Sequence, residues 1–163
     1  DNVRVALDVH EGLRGMMRPA DDLTFQRIDE LLERVGILEY AEERADSVPT
    51  GTARLLEVAR ALACNPRVLL LDEPSSGLDE AETEAFGTLL IELAAEGRTV
   101  LMVEHDMDLV MRVCHEIHVL DFGAIIATGT PEEIRSSPAV QKAYLGYSDD
   151  ETSDLLVTEE VTR

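Results

Sequence analysis

Asp72 and Glu73 stand side by side directly after the apolar run Val68-Leu69-Leu70-Leu71, and Pro74 closes the stretch. Adjacent carboxylates repel, so the pair is tolerable only beside a cation, a reacting phosphate or open water. Successive residues of a strand point to opposite sides. One acid can then hold a metal ion through water while the other faces an attacking nucleophile. Pro74 biases Glu73 toward an extended backbone and ends the strand. Glycoside hydrolysis is the rival use of two carboxylates, but it needs a gap of about 5 Å or more across a sugar. Neighbours on one strand fit that badly. A second polar pair, Glu104-His105, leaves the apolar run Thr99-Val100-Leu101-Met102-Val103 in the same manner.

Several residues in these stretches also have purely structural readings. Asp79 with Glu82 has the spacing of a capping box. His105 taken alone is an ordinary strand-end histidine, and Glu104 is expected to meet solvent. His115 and His118 are three apart, but no third ligand has a matching spacing, so no metal is expected there. Met102, Met107 and Met111 follow core spacing. Cys64 and Cys114 match no metal or disulfide pattern and are expected to be reduced, buried thiols.

The elements that must position these groups follow from periodicity. The opening stretch DNVRVALDVHEG has an amphipathic pattern and lacks an initial Met, so it is expected to be cut from a longer polypeptide. In QRIDELLERVGILEY, residues 26–40, Ile28, Leu31, Leu32 and Val35 recur at helical spacing. A loop over 42–53 leads into a second amphipathic helix, RLLEVARALA, that stops near Asn65-Pro66. Val68–Leu71 suits a strand buried on both faces of a parallel sheet. A helix over 80–96 carries Ala85, Leu89 and Leu93 on one stripe, with Gly97 at its end. Strand, helix, strand at this spacing is a βαβ unit. A short helix DMDLVMRVC, two strand-like runs around Phe122-Gly123 and a helix start at Thr130-Pro131-Glu132-Glu133 complete the pattern.

In a parallel sheet, ligands sit outside the carboxyl ends of the strands. A right-handed crossover brings both strand ends to the same edge. Asp72-Glu73 and Glu104-His105 therefore converge where chemistry is expected. The 163 residues suffice for one domain or part of a larger one, and 45% are apolar, which excludes disorder over the whole length. The 34 acids against 14 bases give a net charge of −20, which argues against nucleic acid and anionic lipid as partners. No apolar run reaches the roughly 18 residues of a membrane span.

VLLLDEP resembles the Walker B strand of ABC-type ATPases, SSGLD the D-loop of that family, and VEHDM its switch-histidine segment. SVPTGTARLLEVARALA occupies the place of the signature loop and helix, and these elements keep the family's order over residues 47–130. The run GTPEEIRSSPAVQKAYLG is similar to the ending of the ATPase subunits of branched-chain amino-acid importers. The resemblance implies an α/β P-loop NTPase fold of the ABC type: a parallel sheet core flanked by helices, with part of the helical subdomain. It implies a helical subdomain over 1–65, an ATPase core over 66–130, a C-terminal helical extension over 131–147 and an acidic, disordered tail over 148–163. ATP and Mg2+ would be the cofactors. Asp72 would hold Mg2+ through water, and Glu73 would be the general base for the water that attacks the γ-phosphate. His105 would contact that phosphate. Asp79 would reach across a dimer interface, and Val48, Pro49, Thr50, Gly51 and Thr52 would close on ATP held by the partner. A second ATPase subunit and transmembrane permease subunits are the implied partners, with the protein peripheral on the cytoplasmic face of the plasma membrane.

The sequence departs from the family in two places. None of the 163 residues forms a Gly-rich loop ending in Lys-Ser or Lys-Thr, the motif that cradles phosphates. The signature is degenerate: where the family has Leu-Ser-Gly-Gly-Gln, this chain has Val48-Pro49-Thr50-Gly51-Thr52, and Pro49 offers neither hydroxyl nor N–H. A soluble, non-transport ABC ATPase and a non-catalytic ABC interaction module are the alternatives.

Overall fold

The amphipathic opening of the chain forms helix α1 (Asn2–Glu11), in which Val3 and Leu7 are buried while Val5 and Val9 stay exposed. The computed structural model describes residues 1–12 and 21–144, and the tail expected over 148–163 lies outside them. Helix α2 (Asp22–Arg34) starts where the Asp21 carboxylate accepts the Thr24 N–H at 3.0 Å. It ends well short of residue 40. Gly36 turns the chain at φ +77, and Leu38–Tyr40 form a short 3-10 turn instead. Of the expected stripe, Leu32 and Val35 are buried, and Ile28 and Leu31 are half-buried.

Helix α3 (Thr50–Ala63) begins inside the segment expected to be loop. Pro49 occupies its N-cap position at φ −55, a backbone already set for a helix start, and its carbonyl accepts the Ala53 N–H at 2.9 Å. Leu55, Val58, Ala59, Leu62 and Ala63 are buried, and α1 and α2 pack on this helix.

Strands β1 (Val68–Asp72) and β2 (Thr99–Val103) pair in parallel, with Val68 opposite Thr99 and Asp72 opposite Val103. Helix α4 (Glu80–Ala95) connects them. Its capping box is present as the sequence predicts: Asp79 Oδ1 accepts the Glu82 N–H, and Glu82 Oε2 accepts the Asp79 N–H, both at 2.8 Å. Its buried stripe is Phe86, Leu89, Leu90 and Leu93, with Ala85 exposed. Burying Phe86 removes far more apolar area from water than burying Ala85 would.

The expectation that β1 is buried on both faces is corrected. Leu69 is buried, but Val68 and Leu70 are 55% and 70% exposed, and Leu101 and Val103 of β2 are 60% and 62% exposed. Helix α4 covers one face of the pair; the other has no covering layer among the described residues.

The chain divides into two compact units, Asp1–Leu109 and Val110 onward, with helix α5 (Met107–Val113) running across the division. In the second unit, β3 (Ile117–Asp121) and β4 (Ala124–Gly129) form an antiparallel hairpin. Phe122 and Gly123 turn it with positive φ at both positions, as tight hairpins require. Helix α6 (Pro131–Arg135) carries the expected Thr130–Glu133 capping box and buries Ile134, and helix α7 (Pro138–Tyr144) buries Val140. Cys64 and Cys114 are free thiols, each half-buried rather than enclosed.

Candidate functional site at the strand ends

The parallel register puts Asp72 level with Val103, so Asp72-Glu73 and Glu104-His105 leave the pair at one edge. The Glu73 N–H still donates to the Val103 carbonyl at 2.9 Å, which extends the ladder one residue past β1. There the chain turns. Glu73 has φ +46, in the left-handed region, not the extended backbone that Pro74 predicts. A non-glycine residue held there stores about 1–2 kcal/mol of strain, and such strain persists only where neighbours over-determine it. The following turn supplies those neighbours: Ser76 N–H donates to Glu73 O at 3.2 Å, Leu78 N–H to Ser75 O at 3.0 Å, and Pro74 is buried.

The strict alternation expected of two strand residues therefore stops at Asp72. Asp72 and Glu73 both line a cavity of about 550 Å³, together with Arg54, Glu57, Leu70 and Pro74. Both acids are exposed. Arg54, whose Nη1 pairs with Glu57 Oε2 at 3.2 Å, puts a cation among the lining residues.

Glu104 does not meet solvent. Its side chain is wholly buried. Oε1 accepts the Ser75 N–H at 2.8 Å and the Ser75 hydroxyl at 2.6 Å. Oε2 accepts the His105 N–H at 3.0 Å, with the Asp106 N–H at 3.4 Å. Burial pushes the carboxyl up, but the hydrogen bonds from Ser75, His105 and Asp106 outweigh it and hold Glu104 below the ordinary glutamate range. His105 itself projects outward with its side chain 73% exposed. The Asp106 carboxylate accepts the Leu109 N–H at 3.0 Å and starts the next helical turn.

The segment expected to be the signature and the turn expected to be the D-loop meet directly. Gly77, at φ +84, packs against Thr50 and Gly51 at the start of α3, and a Cβ on Gly51 would lie 2.6 Å from the Gly77 carbonyl oxygen. Pro49 and Thr50 are exposed, Val48 is half-buried and Thr52 is 3% exposed. Thr50, Gly51 and Thr52 thus form the first turn of a helix, not a loop. Asp79, at the N-cap of α4, is exposed. Two positions here were read along the chain only as parts of the D-loop-like run SSGLD. Ser75 and Gly77 matter through partners distant in sequence, Glu104 and Gly51.

Among the described residues no group of three His, Cys, Asp or Glu side chains is gathered to hold a metal ion. His118, one of the paired histidines, is 3.0 Å from both Thr128 Oγ1 and Glu116 Oε1. The donor set at the strand ends still fits Mg2+ in its usual form, which takes one or two carboxylates and completes its shell with phosphate and water. Asp72, exposed at the cavity wall, is the residue that would hold it.

A parallel strand pair with its acids and histidine at one carboxyl edge, and a helix N-terminus docked on the turn beyond, defines an α/β ATP-binding cassette. The chain belongs to the ABC transporter family. The family model described as ABC transporter matches residues 4–76, and that described as Branched-chain amino acid ATP-binding cassette transporter matches residues 124–150. Over 130 residues the chain is 43% identical to the High-affinity branched-chain amino acid transport ATP-binding protein LivG of Salmonella typhimurium, covering 79% of this chain and 51% of LivG. It is 35% identical over 144 residues to the Lipopolysaccharide export system ATP-binding protein LptB of Haemophilus influenzae, covering 86% of this chain and 60% of LptB. Among solved structures, the ADP conformation of MJ1267, an ATP-binding cassette of an ABC transporter, matches with a TM-score of 0.68 at 25% identity, over 88% of this chain and 62% of that one. The chain spans about half the length of LivG.

Proposed function

We propose that this chain carries the Walker B, switch-histidine and signature segments of an ATP-hydrolysing subunit that drives an importer for branched-chain amino acids. The observation that carries the reading is the convergence of Asp72, Glu73 and His105 at one strand edge, two of them lining the cavity. Bound MgATP supplies the phosphoryl group and a divalent charge that offsets the charge developing on it. Asp72 would hold the ion, and Glu73 takes the proton from the attacking water. His105, its side chain exposed and its Nδ1 3.7 Å from Glu104 Oε2, donates to a γ-phosphate oxygen. Asp79 reaches toward a second ATPase subunit, and the first turn of α3, residues 48–52, closes on nucleotide held by that subunit.

The importer class rests on the match over 124–150 and on the likeness to LivG. The likeness to LptB, named for lipopolysaccharide export, is the reason to test it directly. Among the described residues no helix is long and apolar enough to cross a membrane. In the importer reading, permease subunits hold the protein at the cytoplasmic face. Full-length protein reconstituted with its permease should drive ATP-dependent uptake of labelled leucine. Uptake that ignores ATP, or ATP turnover that ignores leucine, would remove the importer reading.

His105→Ala should lower turnover while changing unfolding free energy by no more than about 0.5 kcal/mol, the usual range for exposed positions. Chemical unfolding and phosphate release measured on the same samples check this; a stability loss of several kcal/mol would make His105 structural.

Pro49→Ser has two expected effects. Pro49 sits at the N-cap of α3 and makes no side-chain cap. Serine there would accept an N–H of the first turn and stabilise the fold by about 1 kcal/mol. It would also restore a hydroxyl and an N–H next to the partner's phosphate, raising ATPase activity of the assembled complex. Higher stability with unchanged activity would show that the segment is already competent without a donor at residue 49.

A further inference from the structure

Glu104 has no part in the reading above, yet its environment is the most demanding at the site. A carboxylate with a fully buried side chain is costly unless its oxygens are satisfied. Here both are, and by groups from two different segments. Oε1 takes both donors of Ser75, two residues after Glu73. Oε2 takes backbone N–H groups of His105 and Asp106. Between Ser75 and Glu73 lies only Pro74, buried and fixed in φ. Fixing Ser75 therefore fixes the left-handed backbone of Glu73, while the other oxygen fixes the backbone that carries His105.

We infer that Glu104 is a positioning residue that locks the Glu73 turn and the His105 segment into one frame, and that turnover depends on both of its oxygens acting as acceptors. The inference rests on Glu73 being the base. A bridging glutamine cannot substitute. Its amide nitrogen would face either the Ser75 N–H, beside a hydroxyl that can turn to accept, or the two N–H groups of His105 and Asp106; either way at least one backbone N–H meets a donor. Ser75 matters through its hydroxyl as well as its N–H, so threonine at that position preserves the lock and alanine weakens it.

The test uses full-length protein assembled with its partner subunits. Glu104→Gln is expected to lower kcat for ATP hydrolysis about 10- to 100-fold, the scale of a misplaced catalytic group. KM and the affinity for a fluorescent ATP analogue should change by less than about threefold. Ser75→Ala should lower kcat with the same split, and Ser75→Thr should keep wild-type kcat. In a Glu73→Gln background, the loss from Glu104→Gln should shrink to a few-fold, because no base remains to be positioned and only the placement of His105 is still disturbed. Wild-type kcat in Glu104→Gln overturns the inference, as does a loss shared equally by kcat, nucleotide affinity and melting temperature. An undiminished loss in the Glu73→Gln background, as large as in the wild-type background, also overturns it. If Glu104→Gln does not fold, the two Ser75 variants decide: Thr active and Ala slowed supports the lock, and equal rates overturn it. Glu73→Gln separates the two levels. Wild-type turnover there removes the base reading and the lock with it, whereas a dead Glu73→Gln beside a fully active Glu104→Gln removes the lock alone.

Discussion

Glu73→Gln is expected to cut ATP turnover about 100- to 10,000-fold, the range of a lost general base, and to leave nucleotide binding in place. The amide keeps the size of the side chain and, being no more suited to positive φ than glutamate, leaves the left-handed backbone at φ +46 as it is. It cannot take a proton from water. Steady-state phosphate release and nucleotide binding on full-length protein are the readouts, and near-normal turnover would place the base elsewhere. A companion variant separates strain from chemistry. Glu73→Gly should be equally inactive yet more stable by up to about 1 kcal/mol, because glycine adopts positive φ without the Cβ penalty. Greater stability joined to lost activity is the signature of strain kept at a working site. Equal stability would mean that the turn is not strained by Glu73.

The parts of this fold legible along the chain are those set by near neighbours. The capping boxes at Asp79–Glu82 and Thr130–Glu133 depend on residues three apart, and both form. The β1–α4–β2 unit was readable because apolar runs, a helical stripe and Gly97 punctuate it in order. The convergence of the polar strand ends followed from parallel pairing alone. What was hidden lies between distant segments. Nothing near Glu104 says that it will be enclosed, because the group that encloses it, Ser75, comes 29 residues earlier. The left-handed Glu73 overrides the local influence of Pro74 because the turn behind it is anchored by that same contact. An apolar run such as Val68–Leu71 reads the same whether one face of a strand or both are covered, so the exposure of Val68 and Leu70 could not be foreseen.

Gly51 illustrates the same limit, and it yields the second large effect. By resemblance, it is a signature glycine that lets backbone approach a phosphate. In the structure it is also where α3 meets the D-loop turn, and the contact is with backbone. A Cβ at residue 51 would lie 2.6 Å from the Gly77 oxygen, 3.1 Å from the Gly77 carbonyl carbon and 3.0 Å from Leu78 Cδ2. A flexible side chain could move aside, but Gly77 has little room to do so. Thr50 stands 3.2 Å from where a Gly77 Cβ would be, and the Leu78 N–H is tied to Ser75 O. Gly51→Ala should therefore cost about 1–3 kcal/mol of stability, the scale of overpacking. That runs against the gain of up to about 1 kcal/mol that alanine normally brings to an exposed helical position. The accommodation should also push the 75–78 turn away from α3 and move Asp79, so turnover should fall in the assembled complex even at temperatures where the variant is fully folded. Thr50→Ala, which trims an atom set facing Gly77 without adding one, should be milder on both measures. Chemical unfolding and ATPase assays on the two variants decide the matter. Gly51→Ala at wild-type or higher stability would mean that the glycine serves only the approach of a phosphate and that the packing of α3 on the D-loop carries no weight.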